Sequence, residues 1–279
     1  MRILGLLLAV TVVAGQRPDA GYSWWNVPGR LKVVSTGQAG VWGVNSKDNI
    51  FYKHGTYLSG AVQYPSPVGN HWQHIAGGLK ESAVGHNIVW GANAHDHIYV
   101  RKGISKSKPV GTHWKRISGG LEQVSVSPNT DNVWGVNRHD NIYYRIGATL
   151  SNPDGTGWQH IAGKLKYVPV GDSGVWGVNK NDQIFYRKGT FGGYTAGTGW
   201  QHISGGLMQI HSGHNIVWGV NKHYHIYIRK GISDSNPAGT GWRRMDGLLK
   251  YVSVNSRDDR VWGVTKHDVI FYRNGAGLL

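Results

Sequence analysis

The 279-residue chain contains no cysteine, and this absence excludes two kinds of protein architecture. Neither a disulfide framework nor a zinc or iron–sulfur site held by thiolates is possible without that residue. Glutamate occurs only at Glu81 and Glu122, although helical proteins rely on it. Acidic residues are few in total, because 15 Asp and Glu stand against 30 Lys and Arg, which gives a formal net charge of +15. The chain is therefore basic and poorly suited to a helical fold.

Long apolar runs are also missing beyond the N-terminus, so the sequence predicts no transmembrane segment. Residues 3–14 are apolar, follow Arg2 and end in the small residues Ala14 and Gly15, which is the pattern of a secretory signal peptide. We expect residues 1–15 to be this signal peptide, and residues 16–279 to form a single domain of a secreted, extracellular protein. The alternative is that the apolar run forms a buried strand or helix.

Glycine and large aromatic residues are abundant instead, with 42 Gly, 13 Trp and 14 Tyr, and aromatic residues favour strands. Twelve of the Trp fall into two sets that recur every 42–48 residues. The first set is Trp42, Trp90, Trp134, Trp176, Trp218 and Trp262, and the second is Trp24, Trp72, Trp114, Trp158, Trp200 and Trp242. An isoleucine stands eight residues after every Trp of the first set. The chain is therefore a six-fold repeat.

Each repeat carries four short strand signals, such as residues 158–161, 165–170, 175–178 and 184–187, separated by turn residues. Four strands in about 42 residues is the size of a propeller blade. The sequence thus predicts an all-β fold, a six-bladed β-propeller with four antiparallel strands per blade. The chain opens on a fourth-strand pattern and closes on a third-strand pattern. We therefore expect the N-terminal strand at residues 24–27 to complete the last blade, at residues 248–273. A linear solenoid is the alternative.

The motifs Gly-Val-Trp-Gly-Val-Asn, Ile-Phe-Tyr-Arg-Lys-Gly, Gly-Thr-Gly-Trp-Gln-His-Ile and Gly-Gly-Leu resemble tectonin repeats. In all six units the chain is similar to the fish-egg lectin and tectonin-type tachylectin family. The resemblance implies a six-bladed propeller that binds carbohydrate, including bacterial lipopolysaccharide and N-acetylated or galactose-type sugars, in innate immunity or egg defence. Secreted members of this family usually carry disulfides. This chain has none, so its closure would rest on strand pairing.

A basic residue stands eleven positions after each Trp of the first set, and in a propeller the six would form a ring about the axis. They are Lys53, Arg101, Arg145, Arg187, Arg229 and Arg273. Such a ring would attract the phosphate and carboxylate groups of anionic glycans. The alternative is that each basic side chain packs its stem over a neighbouring Trp.

Polar loops supply the candidate carbohydrate contacts, which are Asn152, Asp154, Asp234, Asn236 and Tyr194. A further acid recurs two residues before the repeat Ile, at Asp48, Asp96, Asp140, Asp182 and Asp268, with Tyr224 in the remaining unit. We expect this carboxylate to cap backbone N–H groups in a tight hairpin. An acceptor for sugar hydroxyls and part of a calcium site are the alternatives.

The sequence carries no pattern of catalytic residues. Its Asp residues are dispersed by the repeat, so they offer no close carboxylate pair of the kind a glycosidase uses. A nucleophile elbow and a P-loop are both missing. The recurring His residues fall on separate blades without a third ligand at zinc spacing, and the sequence does not cluster the oxygen ligands that calcium needs. We expect no enzymatic activity, no metal and no cofactor.

The predicted function is that of a secreted lectin that recognises microbial surface glycans such as lipopolysaccharide through several similar weak sites. The expected partners are bacterial or other surface glycans and not nucleic acid, since a signal peptide directs the protein away from it. We expect a monomer or a weak homo-oligomer. The alternative is a basic, non-enzymatic adhesion, egg-coat or matrix protein that holds acidic polysaccharide by charge.

Overall fold

The computed structural model describes residues 23–57, 68–193 and 195–275, and within them it contains 24 β-strands and no helix. The strands form six four-stranded sheets whose neighbouring strands are all antiparallel. The innermost strands of neighbouring sheets contact one another around a central axis. This arrangement confirms the predicted six-bladed β-propeller.

The strands of each blade occupy four positions from the axis outward. The innermost strands are β2 (Val33–Gly37), β6 (Glu81–Val84), β10 (Gln123–Val126), β14 (Val170–Gly171), β18 (Gln209–Ser212) and β22 (Tyr251–Val254). The second strands are β3 (Gly40–Val44), β7 (Val89–Ala92), β11 (Val133–Val136), β15 (Gly174–Val178), β19 (Val217–Val220) and β23 (Val261–Val264). The third strands are β4 (Asn49–Lys53), β8 (His97–Lys102), β12 (Asn141–Ile146), β16 (Gln183–Arg187), β20 (His225–Lys230) and β24 (Val269–Arg273). The outermost strands are β5 (Trp72–Gly78), β9 (His113–Gly120), β13 (Gly157–Lys164), β17 (Trp200–Gly206), β21 (Gly241–Leu248) and β1 (Trp25–Arg30).

The N-terminal strand closes the ring, as the sequence predicted. Blades 1 to 5 follow in chain order from β2 to β21, and blade 6 consists of β22, β23 and β24 with β1 as its outermost strand. Trp25, Asn26 and Val27 of β1 lie opposite Tyr272, Phe271 and Ile270 of β24. The two ends of the chain therefore share one sheet, which leaves no open edge between the first and last repeats and excludes a linear solenoid.

The second strands form the core of every blade. Their Trp residues are at most 1% exposed, and both faces of these strands are buried between neighbouring blades. The glycine after each of these Trp makes room for the leucine that follows the outermost strand of the preceding blade. At Gly43, an added Cβ would meet Leu31 at 2.4 Å, and the other five blades repeat the contact at 2.3–2.5 Å. The Trp-Gly and Gly-Gly-Leu motifs are thus two halves of one packing contact between blades.

The second tryptophan set joins each blade to the one before it; five of its members lie on outermost strands, and Trp24 directly precedes β1. The indole Nε1 of Trp114 donates to the carbonyl of Ala76 in blade 1 at 2.9 Å, and its ring meets Trp42 edge-on at 6.4 Å. The same hydrogen bond and the same edge-on pair recur at all six junctions. We call this contact the tryptophan latch. Trp24 supplies the sixth copy, since it donates to Asp246 and packs on Trp218.

The hairpins between the second and third strands define one end of the propeller, here called the hairpin end. In the hairpin of blade 1, Asn45 Oδ1 accepts the backbone N–H groups of Lys47 and Asn49, both at 3.0 Å. Asp48 has φ of 64°, and its carboxylate instead accepts Lys32 Nζ at 2.5 Å. The expectation that this Asp caps backbone N–H groups is therefore wrong. Asn45 accepts the hairpin N–H groups, and the Asp48 carboxylate forms an ion pair with Lys32. Three further units repeat the Lys–Asp pair.

Polar side chains on or next to the innermost strands meet near the axis. The hydroxyls of Tyr167 and Tyr251 lie 2.7 Å apart, and Gln123 Oε1 accepts the N–H of Val168 in the next blade at 3.0 Å. Glu81 Oε1 is buried there without a hydrogen-bond partner among the described residues. Burial raises the pKa of Glu81 to about 8, against the opposing attraction of Lys80. The protonated, neutral carboxyl is thus the favoured form at neutral pH.

Removing the closing latch should destabilise the whole propeller. We expect Trp24→Ala to lower the free energy of unfolding by about 3 kcal/mol, because it deletes a half-buried indole, its hydrogen bond and its contact with Trp218. Denaturant unfolding followed by tryptophan fluorescence measures the loss. Trp25→Ala is the matched control, since Trp25 belongs to neither repeated set and should cost clearly less. Equal losses in the two variants would contradict the latch.

Glu81 should make stability depend on pH. Between its ordinary pKa of 4.5 and its folded value of about 8, the folded protein keeps a proton that the unfolded chain has released. The free energy of unfolding should therefore fall as pH rises through this range, and Glu81→Gln should flatten the curve. Denaturant melts at pH 5, 6.5 and 8 test this. The control is Glu122→Gln, at an exposed site, which should leave the curve of the native protein unchanged.

Candidate functional site

The six basic residues predicted to form a ring stand at or near the ends of the third strands, and each lies over the outer tryptophan of its own blade. The distances from the charged group to the ring centroid are 4.9–5.8 Å for Lys53, Arg101, Arg145, Arg187, Arg229 and Arg273. These distances are in the range of cation–π contacts. Each cation therefore covers the face of a latch tryptophan whose edge contacts the preceding blade.

Five of these six basic side chains are hydrogen-bonded to carbonyls of their own loops. Arg145 Nε donates to the carbonyl of Asp154 at 2.8 Å, and Lys53 Nζ donates to that of Asn70 at 2.8 Å. Arg101, Arg187 and Arg229 make the equivalent bond. Burial lowers the pKa of five of the six, namely Lys53, Arg101, Arg145, Arg187 and Arg229. This geometry agrees with the alternative that each basic side chain packs over a neighbouring Trp. Contact with anionic glycans at these residues stays a prediction.

Four of the five loop residues predicted to contact sugar lie at the opposite end of the blades from the hairpins; they are Asn152, Asp154, Asp234 and Asn236. Asn152 and Asn236 use their side-chain amides to hold the carbonyls of Gly147 and Gly231. Asp154 accepts Lys102 at 2.6 Å and Lys115 at 2.7 Å. Although burial opposes the effect, these two ammonium groups hold its pKa below the ordinary value. Asp234 is exposed, and Tyr194 lies outside the described residues. Their role in sugar binding stays a prediction.

A cleft opens between neighbouring blades toward the hairpin end. Cleft 1/2, between blades 1 and 2, has a volume of about 240 Å³ and is lined by Ile50, Gly77, Gly78, Leu79, Asn93, Tyr99 and Trp114. Cleft 5/6 has a volume of about 140 Å³ and is lined by the equivalent residues Trp24, Ile226, Gly247, Leu248, Leu249, Thr265 and Phe271. The repeat places the same positions at each of the six junctions. The structure opens this cleft at junctions 1/2 and 5/6, and the other four junctions, named 2/3, 3/4, 4/5 and 6/1 in the same way, carry related residues.

Aromatic rings and an oriented amide give the cleft its chemistry. Trp114 and Tyr99 of blade 2 are half-buried and form an apolar wall. Asn93 Oδ1 is held by the N–H groups of His95 and His97, at 3.0 and 2.9 Å. Among the described residues its Nδ2 has no partner, so it remains a donor for a ligand. An apolar wall with a few fixed polar groups is the usual composition of a small-ligand site.

The six junctions differ at the second position of the Gly-Gly pair. Gly78, Gly120 and Gly206 leave this position open in clefts 1/2, 2/3 and 4/5. Lys164, Leu248 and Arg30 fill it in the other three. Lys164 and Arg30 reach back to the carbonyls of His139 and His267, at 2.8 and 2.9 Å. Leu248 is 56% exposed, and the smaller volume of cleft 5/6 agrees with its bulk.

Sequence reasoning missed these clefts because their walls come from two consecutive repeats. Gly78 belongs to blade 1 and Tyr99 to blade 2, and an alignment of the repeats does not show that they are close. Only the fold brings the two residues together in one cleft. A signal was nevertheless present. The second glycine is replaced in three units, whereas the first, such as Gly77, is glycine in all six.

The comparison with protein families settles the class of this fold. The Tectonin domain matches residues 11–121 and 67–266, which is most of the chain. The chain belongs to the tectonin family. A tectonin propeller is a lectin-like fold, and the family is typically non-enzymatic. The search of curated proteins finds no match.

Solved structures resemble the tectonin propeller in fold alone. The β-propeller domain of Myceliophteria thermophila Cps50 (Swd1) gives a TM-score of 0.57 at 7% identity, over 92% of this chain and 99% of that one. Yeast RCC1 (Prp20), in its complex with Kap60, gives 0.53 at 8% identity, over 86% and 68% of the two chains. Human WBSCR16 gives 0.52 at 11% identity, over 88% and 72%. At such identities, the likeness does not extend to function.

Residues 23–57, 68–193 and 195–275 contain no helix with the length and apolarity needed to cross a bilayer. Within the same ranges, no three His, Asp or Glu side chains come together as a metal site.

The two glycines of the tectonin cleft should respond differently to substitution. Gly77 has φ of 123°, and an added Cβ would meet Trp114 Nε1 at 3.1 Å, so Gly77→Ala should lower the free energy of unfolding by about 1–3 kcal/mol. At Gly78 a Cβ would meet only Asp48 O at 3.8 Å, so Gly78→Ala should change stability by less than about 0.5 kcal/mol. Denaturant unfolding measures both. Equal effects would show that the first glycine is not required by the latch.

Proposed function

We propose that this protein is a secreted lectin whose sugar sites are the clefts between its blades. The observation that carries the proposal is the lining of cleft 1/2, where Trp114 and Tyr99 face a cavity of about 240 Å³ beside the amide of Asn93. The C–H face of a sugar ring packs against aromatic side chains, while its hydroxyls take hydrogen bonds from fixed polar groups. The cleft supplies both within the space of a monosaccharide.

The sites are similar, few-contact clefts, and so each is expected to bind weakly. Several weak sites held on one rigid ring gain avidity on a surface that repeats the same sugar. The natural partners in this proposal are microbial surface glycans such as lipopolysaccharide, and the role is innate immunity or egg defence. The apolar run at residues 3–14 supports secretion as a signal peptide, and the residues it occupies lie outside the described ranges.

A second candidate function is charge-driven adhesion to acidic polysaccharide. It is favoured by the net charge of +15 and by exposed basic side chains on the outermost strands, such as Lys115, Arg116, Arg243 and Arg244. The two functions differ in what releases the protein from a glycan surface. A free sugar competes for a lectin cleft, whereas salt screens a charged surface.

Filling the open clefts should strongly weaken sugar binding without unfolding the protein. The variant Gly78→Leu, Gly120→Leu, Gly206→Leu places in each open cleft the residue that this chain itself carries at position 248. We expect its affinity for an immobilised bacterial glycan to fall at least about ten-fold, because bivalent or trivalent contact is lost. Calorimetric titration with N-acetylglucosamine and galactose, with calcium and with chelator, measures the individual sites.

Asp234→Ala is the control, since it changes a predicted loop contact and leaves the clefts intact. If the triple variant binds like the native protein while Asp234→Ala does not, the sugar site lies in the loops and not in the clefts. If no sugar elutes the native protein and salt alone releases it, charge-driven adhesion is the function.

A further inference from the structure

The six clefts also differ in the residue beside their aromatic wall. In the outermost strand, the residue opposite the cleft aromatic is His74, His160 and His202 in blades 1, 3 and 4. It is Arg116 in blade 2 and Arg244 in blade 5, opposite Tyr99 and Tyr227. In blade 6 it is Asn26, opposite Phe271. Two outermost strands therefore carry a permanent positive charge opposite the cleft aromatic, where three others carry an imidazole.

The histidines and the arginines use their surroundings differently. His74, His160 and His202 each meet the neighbouring aromatic ring edge-on, at centroid distances of 5.5–5.6 Å. Arg116 and Arg244 are exposed, and among the described residues neither guanidinium has a hydrogen bond, an ion pair or a ring contact with protein. Their donors are therefore available to a ligand, in contrast to the buried arginines that cover the latch tryptophans.

Apart from the arginine, junctions 1/2 and 4/5 also have the same residue at each position that lines cleft 1/2. Each has both glycines (Gly77 and Gly78, Gly205 and Gly206) and a tyrosine, and each has an asparagine at the start of its hairpin (Asn93, Asn221). In blade 5, Asn221 Oδ1 is held by backbone N–H groups at 3.0 Å, as Asn93 is in blade 2. Because they stand three blades apart in a ring of six, the two clefts face opposite sides of the propeller.

We propose that clefts 1/2 and 4/5 select acidic sugars, and that Arg116 and Arg244 are the residues that recognise the anionic group. The inference rests on the proposed function of the clefts and assigns a ligand class to two of them. A guanidinium matches the planar carboxylate and the phosphate with two parallel hydrogen bonds, which the imidazole of the other clefts does not provide. The sugar ring would lie on the tyrosine and tryptophan wall, with its charged substituent toward the arginine. Cleft 2/3, which has both glycines but His160, would take neutral sugars.

The repeats themselves provide the test variants. Arg116→His, Arg244→His gives both clefts the residue of blades 1, 3 and 4. The matched control Lys115→Gln, Arg243→Gln removes the same two charges from the neighbouring positions of the same strands, where blades 1, 3 and 4 carry Gln. His160→Arg converts cleft 2/3 in the opposite direction.

The probes are two sugar pairs that differ in charge: methyl glucoside with methyl glucuronide, and N-acetylglucosamine with its 6-phosphate. Binding is titrated by NMR or calorimetry at 50 and 500 mM NaCl. We expect the native protein to prefer the acidic member about three- to five-fold at low salt, as befits an exposed ion pair, and less at high salt. The preference should disappear in Arg116→His, Arg244→His, persist in the control and grow in His160→Arg. The carboxylate and phosphate arms show which anion the arginines favour.

Two results would overturn the inference. One is equal binding of acidic and neutral sugars by the native protein, and the other is an equal loss of preference in the arginine variant and the charge-matched control. Failure of the proposed function has a different signature, because then neither the neutral nor the acidic sugars bind at all.

Discussion

The tryptophan latch is the contact on which the rest of the structure depends. A propeller blade is a small sheet that cannot bury both faces alone, so its stability comes from the blades on either side. Here one indole per junction supplies a hydrogen bond to the preceding blade, an edge-on contact with that blade's core Trp, and a platform for a basic side chain of its own blade. Six such contacts close a ring that contains no cysteine, and Trp24 brings the N-terminus into the same scheme.

The latch also explains why the cleft has the shape it has. The tryptophan comes so close to the first glycine of the preceding blade that a side chain there would strike the indole. Gly77 adopts a positive φ of 123°, which glycine accepts without strain. The space over the next residue, Gly78, is left open. Trp114 serves both as the structural contact between the blades and as one wall of the cleft. The site is a consequence of how the blades are joined.

Much of this fold could be predicted from sequence because its determinants repeat at fixed spacing. Trp42 and its five counterparts mark the core, and the phase of the repeat shows that residues near Trp24 must complete the last blade. The clefts could not be predicted in the same way, since Tyr99 and Gly78 meet only after blades 1 and 2 are placed side by side. For the ring of cations, the sequence predicts the positions but not the packing of the side chains. Spacing locates Arg145, but only three-dimensional packing shows that its guanidinium is buried over Trp158 and bonded to the loop carbonyl of Asp154.

The pattern of variation among the six repeats separates the positions that packing requires from those that the fold leaves free. The latch Trp and the first glycine are identical in all six units, as packing requires. The second glycine is under no such constraint, because a Cβ at Gly78 would meet only Asp48 O at 3.8 Å, and three units do carry a larger residue there. The residue opposite the cleft aromatic is equally unconstrained, since His, Arg and Asn all fit at that edge. These two positions lie in or beside the junction between blades, and the fold leaves them free to differ from one repeat to the next. The propeller is thus a ring of structurally equivalent junctions whose chemistry is set by two positions in each.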